Sequence, residues 1–201
     1  MKKRKAKVER KTKETSIVVD LTIDGKGVSH IKTGIPFLDH MLTLFAKHGL
    51  FDLKIKAKGD LDIDIHHTNE DIGMCLGQAF EKALGDKEGI RRFGEKTVPM
   101  DEALVRVVVD ISGRPYLNSN WGGLSSQTTT DVEGYSVEHA RQFLEALKNK
   151  FPITINISVL SLCPDMHHLL EAIFKALAKA MDDATQIDPR VKGVPSTKGR
   201  L

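Results

Sequence analysis

Ile65 to Phe80 reads I-H-H-T-N-E-D-I-G-M-C-L-G-Q-A-F, and its core pattern returns about a hundred residues later, from Met166 to Ala178, as M-H-H-L-L-E-A-I-F-K-A-L-A. Two His-His-x-x-Glu units in one chain are not a chance event. If each unit opens a helix, the glutamate lies three and four positions beyond the histidines and shares a face with them. Adjacent histidines project roughly 100° apart around a helix, so one pair does not converge on one ion. The pattern predicts two ions, each reached by one histidine of each pair. Imidazole and carboxylate without thiolate suit Zn, Mn, Fe or Ni.

The flanking sequence repeats as well. Before the first unit, Thr15 to Ile23 alternates and stops at Asp24-Gly25, which predicts a strand. Val28 to Thr33 is expected to pair with it. After Gly34-Ile35-Pro36, residues Phe37, Met41, Leu44 and Phe45 fall at helical spacing, His40 lies on that stripe, and Gly49 ends it. Leu50 to Ala57 and Gly59 to Ile65 read as strands, and a helix is expected from about Asn69 to Leu84. Before the second unit, Leu104 to Ile111 predicts a strand ending in Ser112-Gly113. Aligning that turn with Asp24-Gly25 sets Glu102 opposite Glu14. A glycine- and serine-rich connection through Trp121-Gly122-Gly123 precedes a helix over about Ser136 to Asn149, a strand at Ile153 to Leu160 and a helix to about Ala184. Each half reads strands, helix, strands, helix. Two copies indicate a duplication rather than a solenoid, divided as a basic tail over 1–9, a first half over 10–95 and a second over 96–201, together one compact domain.

Composition sets the class. Charged residues make up 28% of the 201 and the net charge is +3, as in a soluble globular protein with ample room for a core. The lysine-dense opening reads as a solvated tail. No apolar run reaches the 18 or so residues of a membrane span, and the opening lacks the apolar stretch of a signal peptide. Cys75 and Cys163 are far apart, which gives neither a disulfide framework nor a C-x-x-C site. A cytoplasmic protein is expected.

The duplication tests itself at His40. Counting back from the second unit reaches Gln142 as its closest counterpart, with His139 one helical turn earlier. A lone histidine on an apolar stripe is more often a hydrogen-bonded core residue, but the paired units favour a dinuclear site. His30 and His48 fit neither unit and read as solvated surface. Three segments carry cations beside turns: Arg91-Arg92-Phe93-Gly94, Ser112-Gly113-Arg114-Pro115 and Pro195-Ser196-Thr197-Lys198-Gly199. Together they are expected to form an anion clamp facing the metals.

The series R-K-T-K-E-T, T-G-I-P-F-L-D-H-M-L, H-H-T-N-E-D, M-D-E-A-L, S-G-R-P-Y-L, H-H-L-L-E-A-I-F-K-A-L-A and V-P-S-T-K-G-R-L resembles, in order, the imidazoleglycerol-phosphate dehydratases of histidine biosynthesis, from about Arg10 to Leu201. The resemblance implies an α+β subunit of duplicated βα halves, with helices packed between two four-stranded sheets. It implies a 24-mer with active sites between subunits, two Mn²⁺ per site, and dehydration of D-erythro-imidazole-glycerol 3-phosphate to imidazole-acetol phosphate. Carried over, the metal ligands fall on His40, His66, His67, Glu70, His167, His168 and Glu171, and the eighth on Gln142 or, by a helix shift, His139. Substrate contacts fall on Glu14, Arg92, Arg114, Ser196 and Lys198, with Thr197 in the same phosphate segment.

The implied chemistry is a metal-bound imidazolate that expels the neighbouring hydroxyl and acidifies the next C–H, with Glu14 and Glu171 as acid/base candidates. Two other readings use the same residues. A dinuclear metallohydrolase would generate hydroxide on the ions, and a metal- or nucleic-acid-binding protein would use the basic opening. Acidic residues nearly balance basic ones, and the few aromatics build no stacking platform, which argues against nucleic acid.

Overall fold

The computed structural model describes residues 3–121, 132, 134–161 and 164–201; Gly122, Gly123 and Cys163 lie outside them. Strands β1 (Lys5–Lys11), β2 (Ser16–Thr22), β3 (Ser29–Lys32) and β4 (Asp52–Lys58) form one sheet in the order β1-β2-β4-β3. Strands β5 (Phe93–Met100), β6 (Ala103–Asp110), β7 (Tyr116–Asn120) and β8 (Thr154–Val159) form a second, ordered β5-β6-β8-β7. The two orders are identical when the second is shifted by four strands, so the duplication is one of topology. In each sheet the last pair is parallel, and a parallel pair needs a long crossover. Helix α1 (Pro36–His48) supplies it in the first half and α3 (Val137–Lys150) in the second. Helices α2 (His66–Leu84) and α4 (Met166–Thr185) follow β4 and β8.

The helices form the middle of the α+β sandwich. Helix α2 packs on β1 and β2, α4 packs on β5 and β6, and the layers meet as α2 against α3 and α1 against α4. Alternation along the central strands sends Ile17, Val19, Leu21, Leu53 and Ile55 inward from one sheet, and Val105, Val107, Val109, Ile155 and Ile157 from the other. All ten are buried in one continuous core.

Several sequence expectations need correction. The lysine-rich opening is a strand from Lys5 onward, paired with β2 from Lys5↔Thr22 to Lys11↔Ser16; its lysines face solvent while Val8 is buried and Ala6 half-buried, so only two inward apolar residues, one of them small, give little periodic signal. Val28 to Thr33 does not pair with β2, because β4 lies between them and takes β3 in parallel. Gly59 to Ile65 is not a strand: Ile63 N–H donates to Asp60 O at 2.9 Å in a turn, and its apolar Ile63 is exposed. Strands β5 and β7 lie in segments for which the sequence predicts no strand. Both are edge strands, where one ladder partner is enough. Cys75 is buried and free.

Two glycines let the middle layers touch. A β-carbon on Gly77 of α2 would lie 2.3 Å from Leu147 O, and one on Gly73 would lie 2.6 Å from Phe143 O, both on α3. These backbones are in van der Waals contact. Alanine is favoured over glycine in a helix by about 1 kcal/mol, but a carbonyl oxygen of a packed helix cannot swing aside as a side chain would. Gly77→Ala is therefore expected to destabilise by about 1–3 kcal/mol through overpacking. A thermal unfolding midpoint lowered by several degrees would show it, and a raised midpoint would show that α3 yields.

Candidate active site

Both His-His units stand at helix N-termini, where the unpaired N–H groups need acceptors. Asp165 caps α4, its Oδ1 accepting from the N–H groups of His167 at 2.8 Å and His168 at 3.3 Å. Asp64 Oδ1 accepts from His66 N–H at 2.7 Å at the start of α2. The pairs are thus fixed in the first turn, where their rings are half-exposed while the next turn enters the core. Within each pair the rings diverge, at interplanar angles of 76° and 78°.

In the second unit three donors converge. His40 Nε2 lies 2.7 Å and His167 Nε2 3.2 Å from the same Glu171 oxygen. These three ligand atoms all fall within 4.8 Å of one another, and they come from α1 and α4. Two imidazole nitrogens and a carboxylate oxygen fit a Mn- or Zn-class divalent ion, with room left for further ligands. His40 stands at the edge of the α1 core face, its side chain 43% exposed, rather than within the apolar stripe.

The first unit is arranged alike but more sparsely. His66 Nε2 lies 3.6 Å from Glu70, and His66 Nδ1 lies 3.1 Å from Gln142 Oε1 on α3. On α3 the side chain that meets His66 is that of Gln142. The His139 ring sits in the capping box of α3, its Nδ1 accepting from Ser136 N–H at 3.0 Å. His67 and His168 turn away from these groups. His67 Nδ1 pairs with Asp60 at 2.9 Å, and His168 Nδ1 with Glu102 at 3.1 Å. Each carboxylate raises its histidine's pKa above the ordinary value, hydrogen bonding being the largest cause. Among the described residues, His66 and His67 make no hydrogen bond or ion pair to the second unit. One chain therefore does not bring a histidine of each pair to a common ion.

Glu14 and Glu102 do occupy equivalent places, each at the tip of the hairpin joining the first two strands of its sheet. The three cationic segments also come together. Arg92 Nε and Nη2 donate to Asp110 at 2.7 and 3.2 Å, and Arg92 Nη1 donates to Pro195 O at 2.9 Å. A β-carbon on Gly113 would lie 2.6 Å from the Leu201 backbone, so the C-terminal segment lies along the Ser112–Arg114 turn. Arg114, Thr197 and Lys198 are exposed and Ser196 is half-buried. The clamp expected of these segments does not face the candidate metal ligands of its own chain. Arg92 N–H bonds to Ala184 O near the far end of α4, roughly 20 Å along the helix from Glu171 at 1.5 Å per residue.

Three further residues at the site have no role assigned by the sequence. Lys175 Nζ donates to the second oxygen of Glu171 at 2.5 Å. The i,i+4 spacing of Glu171 and Lys175 was visible in the sequence. Asp60 and Asp71, in contrast, reach their partners through the fold. His48, read as solvated surface, is half-buried near Lys175, and burial first, then that lysine, lowers its pKa. Burial also pushes the Glu171 carboxyl up, but the Lys175 ammonium, with His40 and His167, outweighs it and holds the group at about 2.

A folded-state pKa depressed below the unfolded value adds stability above the unfolded value, and that stability is lost as pH falls through the folded one. The Glu171 contribution is thus complete above its ordinary 4.5 and fades toward about 2. In the chelated protein, Lys175→Met is expected to cost stability at about pH 6 and progressively less toward about pH 3. Denaturant unfolding across that range checks this; a loss independent of pH would assign Lys175 to packing alone.

The sequence model of the family described as imidazoleglycerol-phosphate dehydratase matches residues 33–181. The protein of that name from Geobacter metallireducens is 54% identical over 198 residues, covering 98% of this chain and 99% of the relative. The one from Thermoanaerobacter pseudethanolicus is 56% identical over 198 residues, covering 98% of this chain and 100% of the relative. Among solved structures, the imidazoleglycerol-phosphate dehydratase of Staphylococcus aureus superposes with a TM-score of 0.79 at 38% identity, over 92% of this chain and 99% of that one. The Pyrococcus furiosus enzyme, solved in complex with (S)-C348, gives 0.80 at 41% identity, over 96% and 100%. With the shared fold and near-complete coverage of both chains, this protein belongs to the imidazoleglycerol-phosphate dehydratase family, hydro-lyases of histidine biosynthesis.

Proposed function

We propose that this chain converts D-erythro-imidazole-glycerol 3-phosphate to imidazole-acetol phosphate in the cytoplasm, at sites that hold two divalent ions, Mn²⁺ by family resemblance, and are completed between copies of the chain in a 24-mer. The observation that carries this reading is the convergence of His40, His167 and Glu171 on one point, with His66, Glu70 and Gln142 as its counterpart. His67 and His168, turned outward by the divergence within each pair, are then ligands offered to a neighbouring copy. The distance between the anion clamp and its own chain's ligands supports the same arrangement.

The substrate's hydroxyl leaves from the carbon attached to imidazole, and its proton from the next carbon. Bound metal would supply positive charge that lowers the ring N–H pKa, so that the ring reacts as imidazolate. The protein's own groups do the rest. Glu171 has one oxygen on His40 and His167 and the other on Lys175, so it serves as a fixed charge and ligand. Glu14 is exposed, and among the described residues its carboxylate has no hydrogen-bond partner, so it takes the carbon-bound proton, which with the departing hydroxide makes up the water lost and leaves the enol that becomes the ketone. Arg114, Ser196, Thr197 and Lys198 hold the phosphate and fix the reacting carbons. Arg92 has spent three of its five donors on Asp110 and Pro195, and its main task is to hold the C-terminal segment to the clamp.

Dehydration by chelated protein, followed by Mn²⁺, Zn²⁺ or Mg²⁺ add-back, tests the reading. Chelation is expected to abolish turnover and loosen assembly by light scattering, and Mn²⁺ to restore both. Full turnover by metal-free protein, or by a lone monomer, would overturn it.

The two ions are expected to differ in affinity, because a glutamine oxygen is a poorer partner than imidazole for such ions. Gln142→His is expected to tighten the weaker one by roughly tenfold or more, and His139→Ala to keep both. Calorimetric metal titration reads this directly. Loss of one equivalent in His139→Ala would assign the ligand role to His139 instead.

A further inference from the structure

Asp71 follows Glu70 on α2 and, one residue on, points roughly 100° away from it, into the hairpin between β1 and β2. It is buried, 6% exposed. Its Oδ1 accepts from Arg10 Nε at 2.9 Å and its Oδ2 from Thr15 Oγ1 at 2.5 Å. Thr15, 3% exposed, is also the base of the hairpin tip. Thr12 N–H donates to Thr15 O at 2.8 Å, and Thr12 Oγ1 accepts from the N–H groups of Thr15 at 2.9 Å and Glu14 at 3.1 Å. Glu14 therefore rides on a tip whose backbone is closed on itself and whose root is bonded to the helix that begins with the first His-His unit.

The other half shows what this anchor is for. Its tip is the two-residue turn Asp101–Glu102 between Met100 and Ala103, and Glu102 bonds directly to His168. That two-residue tip is held from outside at Glu102 itself, whose carbonyl accepts from Ser161 Oγ at 2.7 Å and whose carboxylate meets His168. The residue in the place of Asp71 is Ala172. Among the described residues, the buried carboxylate lies beneath the longer tip, whose glutamate makes no side-chain hydrogen bond there. Burying a carboxylate costs several kcal/mol before its partners repay it, and apolar residues often do as well for stability. Its gain is directional.

We propose that Asp71 is a positioning residue, which fixes the Glu14 carboxylate relative to the His66–Glu70 ligands by holding Thr15 and Arg10. The inference rests on Glu14 carrying the proton, as proposed above. Thr15→Val removes the buried donor at nearly constant volume, and Thr15→Ser keeps it. In the Mn²⁺-loaded full chain, Thr15→Val is expected to lower kcat by about 10–100-fold, the effect of a misplaced reacting group. Metal content and assembly size should hold, while hydrogen exchange at the Thr12–Thr15 amides speeds up and Thr15→Ser restores most of the rate. In a Glu14→Gln background, Thr15→Val should change kcat by less than about twofold, because coupled residues are not additive. An equal fold loss in both backgrounds, or metal loss in step with rate, would overturn the proposal. If Glu14→Gln alone leaves kcat intact, the proton-carrier reading falls and this inference with it; if it lowers kcat while Thr15→Val does not, the positioning inference alone falls. Should Thr15→Val fail to assemble, Arg10→Gln, which breaks only the outer bond, goes through the same cycle with a smaller loss of the same sign expected.

Discussion

The backbone contact between α2 and α3 sets the geometry of the molecule. Gly73 and Gly77 let the Phe143 and Leu147 carbonyls come closer than any side chain would allow, and this brings the two halves into one core. It also places Gln142, one residue before Phe143, beside His66 on the first turn of α2. On the other side of the molecule α1 crosses α4, and His40 meets His167 and Glu171. The site is a product of how the middle helices cross, since each ligand group draws on one crossover helix and one helix that opens with a His-His unit.

That origin explains what was legible in the sequence. The His-His-x-x-Glu units, the helices behind them and the duplication announce themselves through local spacing, and α1, α2, α3 and α4 start or end within a few residues of expectation. Strands β1, β5 and β7 are edges, satisfied on one side only, and their alternation is diluted by solvent-facing residues. The wrong pairing of Val28 to Thr33 has a topological cause. Adjacency in sequence favours a hairpin, whereas β4 enters between the two strands only after α1 has crossed over. Among site residues, Lys175 stood at readable helical spacing from Glu171, but Asp60 and Asp71 have partners that no periodicity connects.

The relation between ligands and clamp was the least legible part. Sequence order suggests that arginine turns and C-terminal lysine gather around the histidines, and they do gather, but at the opposite end of α4. A helix of 20 residues is a rigid spacer of roughly 30 Å. No rotamer change spans that gap within one chain; in the arrangement proposed above, phosphate and metal are joined across copies of the chain.

The two halves share a topology and have diverged in their chemistry. One half has three ligand atoms on a common point, a glutamate fixed by Lys175, and a tip glutamate already committed to His168. The other has Met74 where a lysine would answer Lys175, an amide where an imidazole would answer His40, and a tip glutamate that makes no side-chain hydrogen bond among the described residues, above a buried anchor. Identical halves would give two equal sites in which every carboxylate was bound. The function proposed above calls for two unlike services, a fixed positive environment for the ring and a carboxylate that can pick up a proton, and a carboxylate tied on both oxygens is ill suited to the second. Duplication supplied two copies of the ligand frame, and divergence left one glutamate out of it.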